Sequence, residues 1–223
     1  MVRRLTLTLA VTPTLPRALT LSLTPPRYAA AASGPKDVVL VIDTSGSMAG
    51  DLNNMAKQAA NMVIDTLTAV DYVTIVKYSS GAQAYSSTLV EATDANKALL
   101  KAWIDAEIGA SGTTNFRAGF EKAWEVVDAT NASSNCNRIM LFLSDGSPSN
   151  SWRNSDALWV MTKAASYDPP MHVLTYGLGE DANADVLKDI ACRGNGIYYS
   201  VTESTIANTM ASYFQVCIAR LDG

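Results

Sequence analysis

The run Val38-Val-Leu-Val-Ile42 is the strongest constraint on what this chain can become, because it is wholly aliphatic and mostly β-branched with no polar alternation. A strand with one face in water would alternate, so this one is covered on both faces, as in the middle of a parallel sheet. Arg138-Ile-Met-Leu-Phe-Leu-Ser144 repeats the pattern, and Tyr72–Ser79, Met171–Gly179 and Gly196–Val201 also read as strands, with a short edge strand expected near 82–87. Helical spacing of apolar residues falls between them. It covers 51–67, 94–107 with Asp94 as N-cap, 114–129, 155–166, 184–193 and 205–219. Alternating strands and helices with buried strands predict an α/β fold: a doubly wound, mostly parallel central sheet flanked by helices. In such folds ligands bind beyond the carboxyl ends of the strands, where the strand order reverses.

Both central strands end in acids. The first runs directly into Asp43-Thr-Ser-Gly-Ser-Met48, and the second into Ser144-Asp145-Gly146. Neighbouring strand tips would bring Asp43 and Asp145 into one cleft with Ser45 and Ser47, and no nearby lysine or arginine in either loop is an obvious counter-ion. Two uncompensated carboxylates in a cleft are costly, and a divalent cation removes the cost. Oxygen donors without sulfur or imidazole are hard ligands, which indicates magnesium, with calcium or manganese as the other candidates.

Composition supports cation binding over other classes. The 223 residues are 48% apolar, enough for one large domain, and the net charge of −4 offers no basic surface for nucleic acid. Cys136, Cys192 and Cys217 lack CxxC spacing and His172 is the sole histidine, so structural zinc is excluded. The cysteines form either one disulfide plus a spare thiol or three small buried apolar residues. Residues 1–35 read as a leader or linker: Arg3 and Arg4 precede an apolar stretch, but Pro13 and Pro16 interrupt it, and no segment reaches the ~20 apolar residues of a membrane span.

The motifs in order, "DTSGS" after an apolar strand, "GTTN" opening a helix and "SDG" after a second apolar strand, resemble the von Willebrand factor type A domain and its metal-ion-dependent adhesion site. The resemblance implies metal ligation by Asp43, Ser45, Ser47, Thr114 and Asp145, with Thr114 rather than Thr113 matching the family's glycine-any-threonine pattern. It implies a domain over residues 36–219 and a protein partner whose Asp or Glu carboxylate completes the ion's shell. "GTTNFRAGFEKAW", "NCNRIMLFLSDG" and "ACRGNGIYYSV" further resemble the type A domain of calcium-channel alpha-2-delta subunits and related proteins that join it to Cache domains. That likeness implies an extracellular or membrane-associated setting, with a membrane channel or receptor as partner. It also implies a linking role for Cys192, and it places the sequon Asn131-Ala132-Ser133 in a region where such subunits carry one.

Binding rather than catalysis is the expectation, with no catalytic residues and no organic cofactor. "DTSGS" is not a GxSxG elbow, no GxxxxGK[ST] loop occurs, and Ser45 stands where a haloacid-dehalogenase-type phosphotransferase wants a second acid. The enzymatic alternative is metal-assisted hydrolysis or phosphotransfer using Asp43 and Asp145. Trp103, Trp124, Trp152 and Trp159 read as packing residues or rim aromatics, His172 as a satisfied core or near-core residue, and Met48 as either a ligand-face residue or a cover for the strand tip. Trp152 and Arg153, beside Asp145, are candidates for partner contact.

Overall fold

The computed structural model describes residues 34–134, 136–146, 148 and 152–211. The expected leader up to residue 33, the end of the last expected helix and Cys217 lie outside the described residues. Among the described residues seven strands form one sheet: β1 (Lys36–Asp43), β2 (Tyr72–Tyr78), β3 (Ala82–Ala84), β4 (Val90–Glu91), β5 (Asn137–Ser144), β6 (Met171–Leu178) and β7 (Tyr198–Val201). The order is β3-β2-β1-β5-β6-β7, with β4 also on β2. Strands β2, β1, β5, β6 and β7 are parallel, and only β3 and β4 run against β2. The chain winds from β1 toward β2 and later from β5 toward β7, so the reversal falls between β1 and β5, the two strands that end in acids.

Among the described residues six helices cover the sheet: α1 (Asp51–Thr66), α2 (Asp94–Glu107), α3 (Phe116–Ala129), α4 (Asn154–Ala165), α5 (Ala184–Arg193) and α6 (Ile206–Ala211). The period-2 geometry of β1 assigns them to faces. Val38, Leu40 and Ile42 pack in one core with Ala56, Ala59 and Val63 of α1, Leu100 and Ile104 of α2, and Met210 of α6. Val39 and Val41 point the other way, into a core with Phe120 and Trp124 of α3, Val160 of α4 and Ile190 of α5. All eight residues of β1 are buried, which accounts for the missing polar alternation.

At its amino end β1 carries a buried ion pair, Lys36 Nζ to Asp71 Oδ1 at 3.2 Å. Asp71 also accepts from the backbone N–H groups of Lys36 and Thr68, so the start of β1 is tied to the turn before β2.

Several expectations shift. Thr93, not Asp94, caps α2: its hydroxyl accepts from the Asn96 N–H at 3.3 Å, leaving Asp94 in the first turn. Helix α3 begins at Phe116 because the Asn115 side chain caps it by accepting from the Ala118 N–H, which leaves Thr114 on a loop. Cys136 and Cys192 are exposed free thiols, which overturns the buried apolar reading for both. His172 is half-buried with Nδ1 2.9 Å from the Asn195 carbonyl. Met48 is fully buried, closing the tip of β1. Among the described residues no helix is long and apolar enough to cross a membrane.

Candidate metal centre

At the carboxyl end of β1 the chain passes from Asp43, which has no exposed surface, through Thr44 and Ser45 into a single 3-10 turn over Gly46–Met48. The turn brings Ser45 Oγ within 3.1 Å of Ser47 Oγ. Ser45 is buried and Ser47 is exposed, so the two hydroxyls run from the interior to the surface.

A second loop, between α2 and α3, is laced onto this one. The Ser111 N–H donates to the Thr44 carbonyl at 2.8 Å and the Gly46 N–H to the Gly112 carbonyl at 3.0 Å. Gly112 has φ +81°, and a Cβ there would stand 2.8 Å from Ser80 Oγ, so only glycine fits. Two residues on, Thr114 is 4% exposed, whereas the Thr113 hydroxyl turns to Ser80 Oγ at 3.0 Å.

The third loop follows β5. Asp145 is half-buried, and its carbonyl accepts from the Asn183 N–H at 2.8 Å. Gly146, at φ +81°, lies so close to Asn183 that a Cβ would come 2.4 Å from the Asn183 carbonyl oxygen. Each crest loop is therefore fastened to a neighbour by backbone hydrogen bonds. The five side chains singled out in the sequence sit on these three loops.

The electrostatics centre on Asp43. Burial pushes its carboxyl above the ordinary value, hydrogen bonds from Ser144 and Ser45 pull it back, and the charge on Asp145 adds to the rise. None of these groups is cationic. A buried carboxylate that feels a second carboxylate, ringed by hydroxyls, is an arrangement that an added positive charge would relieve. Among the described residues no three His, Cys, Asp or Glu side chains gather as a metal site, and the candidate donors on the crest are two acids and three hydroxyls. Such donors fit a hard divalent ion and not a thiolate- or imidazole-seeking one.

Two residues of the site were not singled out by the sequence reading. Ser144 Oγ donates to Asp43 Oδ2 at 2.6 Å and accepts from the Gly146 N–H at 2.9 Å. Tyr78 Oη donates to the same Oδ2 at 3.2 Å. Ser144 is a polar residue at the carboxyl tip of β5, where the rule that placed Asp43 at the site would have found it, whereas Tyr78 closes β2 and reads as an aromatic core residue. The Tyr78 phenol is pushed well up by burial and by the Asp43 charge, so it stays protonated and donates.

Trp152 and Arg153 line a cleft of about 370 Å³ with Asn115, Phe116, Arg117 and Asp156, next in sequence to Thr114. Trp152 packs on Phe116 and Phe120 at centroid distances of 5.5 and 6.0 Å, and Arg153 is exposed.

A mostly parallel sheet with an acid- and hydroxyl-bearing crest at its reversal point defines a doubly wound α/β domain. More narrowly, the chain belongs to the von Willebrand factor type A domain family, whose sequence profile matches residues 37–212. It is 33% identical over 181 residues to the human voltage-dependent calcium channel subunit alpha-2/delta-2, covering 79% of this chain and 15% of that protein. It is 29% identical over 166 residues to the pig inter-alpha-trypsin inhibitor heavy chain H1, covering 72% of this chain and 18% of that one. The chain thus spans under a fifth of the length of these relatives. Among solved structures, a von Willebrand factor type A protein from Catenulispora acidiphila superposes with a TM-score of 0.70 at 22% identity, covering 83% of this chain and 43% of that one. The mussel byssus proximal thread matrix protein 1, solved with a zinc-occupied MIDAS motif, gives 0.62 at 16% identity, with 82% and 46% covered.

Proposed function

We propose that this domain, over residues 36–219, holds a divalent cation through Asp43, Ser45, Ser47, Thr114 and Asp145 and uses it to bind a carboxylate of a protein partner. The observation that carries the reading is Asp43: fully buried, electrostatically opposed by Asp145 and reached by no cationic side chain among the groups that shift it. The bound ion would supply a positive charge with a coordination position left for an outside oxygen. Ser45, Ser47 and Thr114 are neutral, so most of that charge remains for the partner's Asp or Glu. The backbone bonds between crest loops hold the donors in place before the ion arrives. Magnesium is the proposed ion, with calcium and manganese as the alternatives.

Likeness to alpha-2/delta subunits supports a membrane channel or receptor as partner and an extracellular or membrane-associated setting. Binding is favoured over hydrolysis because His172 sits near the amino end of β6, away from the strand tips, and no other histidine is present to act as base.

Calorimetric titration with magnesium, calcium and manganese tests the reading. Wild type is expected to bind, and Asp43→Ala and Asp145→Ala to weaken binding by more than about 100-fold with the circular-dichroism spectrum unchanged. Equal heats for wild type and both variants, or turnover in a hydrolase screen that Asp145→Ala abolishes, would overturn it.

A further inference from the structure

Counting lone pairs on Asp43 takes the site further. An ionised carboxylate offers about four acceptor positions, two on each oxygen. Oδ2 receives two hydroxyl protons, from Ser144 at 2.6 Å and Tyr78 at 3.2 Å, and is full. Oδ1 receives the Ser45 backbone N–H at 2.8 Å. At most one position on Asp43 remains, and it lies on Oδ1.

Both hydroxyls are rigidly held. Tyr78 is 1% exposed, with its ring stacked on Phe142 at 5.2 Å and edge-on to Phe116 at 5.9 Å, while Ser144 is fully buried and fixed by the Gly146 N–H. Packing therefore holds both hydroxyl oxygens against Oδ2.

From this we infer that Tyr78 and Ser144 are selectivity-setting positioning residues: by occupying Oδ2 they keep Asp43 from binding a cation with both oxygens, and so favour a small six-coordinate ion over calcium. The physical basis is coordination number. Calcium takes six to eight oxygens and commonly draws two from one carboxylate, whereas magnesium demands a near-octahedral shell with single-oxygen contacts and keeps several waters. Denying the second oxygen handicaps the larger ion more. The inference rests on the cation-site reading above and names which ion that site prefers and which residues set the preference.

The test measures magnesium and calcium dissociation constants by calorimetry for wild type, Tyr78→Phe and Ser144→Ala. Tyr78→Phe keeps the ring and its stacking, and Ser144→Ala gives an independent reading should the first variant fail to fold. Wild type is expected to prefer magnesium. Each variant is expected to narrow the magnesium-to-calcium affinity ratio, by roughly threefold for Tyr78→Phe and about tenfold for Ser144→Ala, in line with the weaker and stronger of the two bonds. A purely structural role would weaken both ions alike and leave the ratio fixed. Wild type that prefers magnesium while folded variants keep its ratio, or lose both ions entirely, overturns this inference alone. Wild type that prefers calcium also overturns it and spares the cation site. Wild type that binds neither ion overturns the site reading and this inference with it.

Discussion

Asp43 concentrates the conflict that defines this domain, because it is an acid at a position where burial and a second acid both disfavour its charge. The sign of the resulting pH dependence follows from linkage. In the metal-free fold the Asp43 carboxyl is raised from 3.8, so the folded state holds this proton more tightly than the unfolded chain does. Its contribution to stability is fully present below the unfolded value and is lost as pH rises through the folded one, the reverse of a salt-bridged aspartate. Asp43→Asn removes the titration. In chelator, the stability of wild type relative to Asp43→Asn is therefore expected to decline as pH rises through that window, measured by urea unfolding at a series of pH values. A difference that is flat or rises with pH would show that the carboxylate is satisfied without a cation.

At the scale of elements, α3 meets β1 and β2 where Gly119 faces Tyr78. A Cβ on Gly119 would lie 2.8 Å from Tyr78 Cδ1 and 3.3 Å from Val41 Cγ1. Two effects oppose each other in Gly119→Ala. Helix propensity favours alanine by about 1 kcal/mol, while overpacking a filled core costs about 1–3 kcal/mol. The aromatic ring is locked by Phe116 and Phe142, so the steric effect is expected to win, with a net loss of roughly 1 kcal/mol in urea unfolding. Unchanged or higher stability would mean that α3 can shift away from the ring. Elements of this kind mark the limit of the sequence. The central strands were legible because burial on both faces leaves an unbroken apolar run, and the candidate-site acids because they end those runs. Tyr78 was hidden because a tyrosine closing a strand looks like any aromatic core residue. Gly119 was hidden because only the position of a ring from another element explains it. Strand β4, two residues long, carries no period to read, and the cap of α2 fell one residue early because threonine and aspartate stand side by side.

For the molecule as a whole, the candidate site exists only when the chain is folded. Ser144 and Asp43 meet across 101 residues of sequence, and Thr114 comes from a third loop between them. The unfolded chain therefore offers an ion no more than scattered single oxygens, and a cation that binds the native crest must stabilise the whole fold by mass action. At a free concentration one hundred times the dissociation constant the gain is about 2.7 kcal/mol. For a domain of this size each kcal/mol moves the melting midpoint by roughly 2–4 °C, so saturating magnesium is expected to raise it by about 5–10 °C. Excess chelator should return the midpoint to its metal-free value. Asp145→Ala should melt at one temperature with or without the ion, since it loses a donor whose loop is otherwise fastened through the backbone to Asn183. Differential scanning calorimetry of both proteins, with magnesium and with chelator, reads all four midpoints. A wild-type midpoint indifferent to magnesium at concentrations where titration shows saturation would place the bound ion elsewhere on the surface, on groups that the unfolded chain presents equally well.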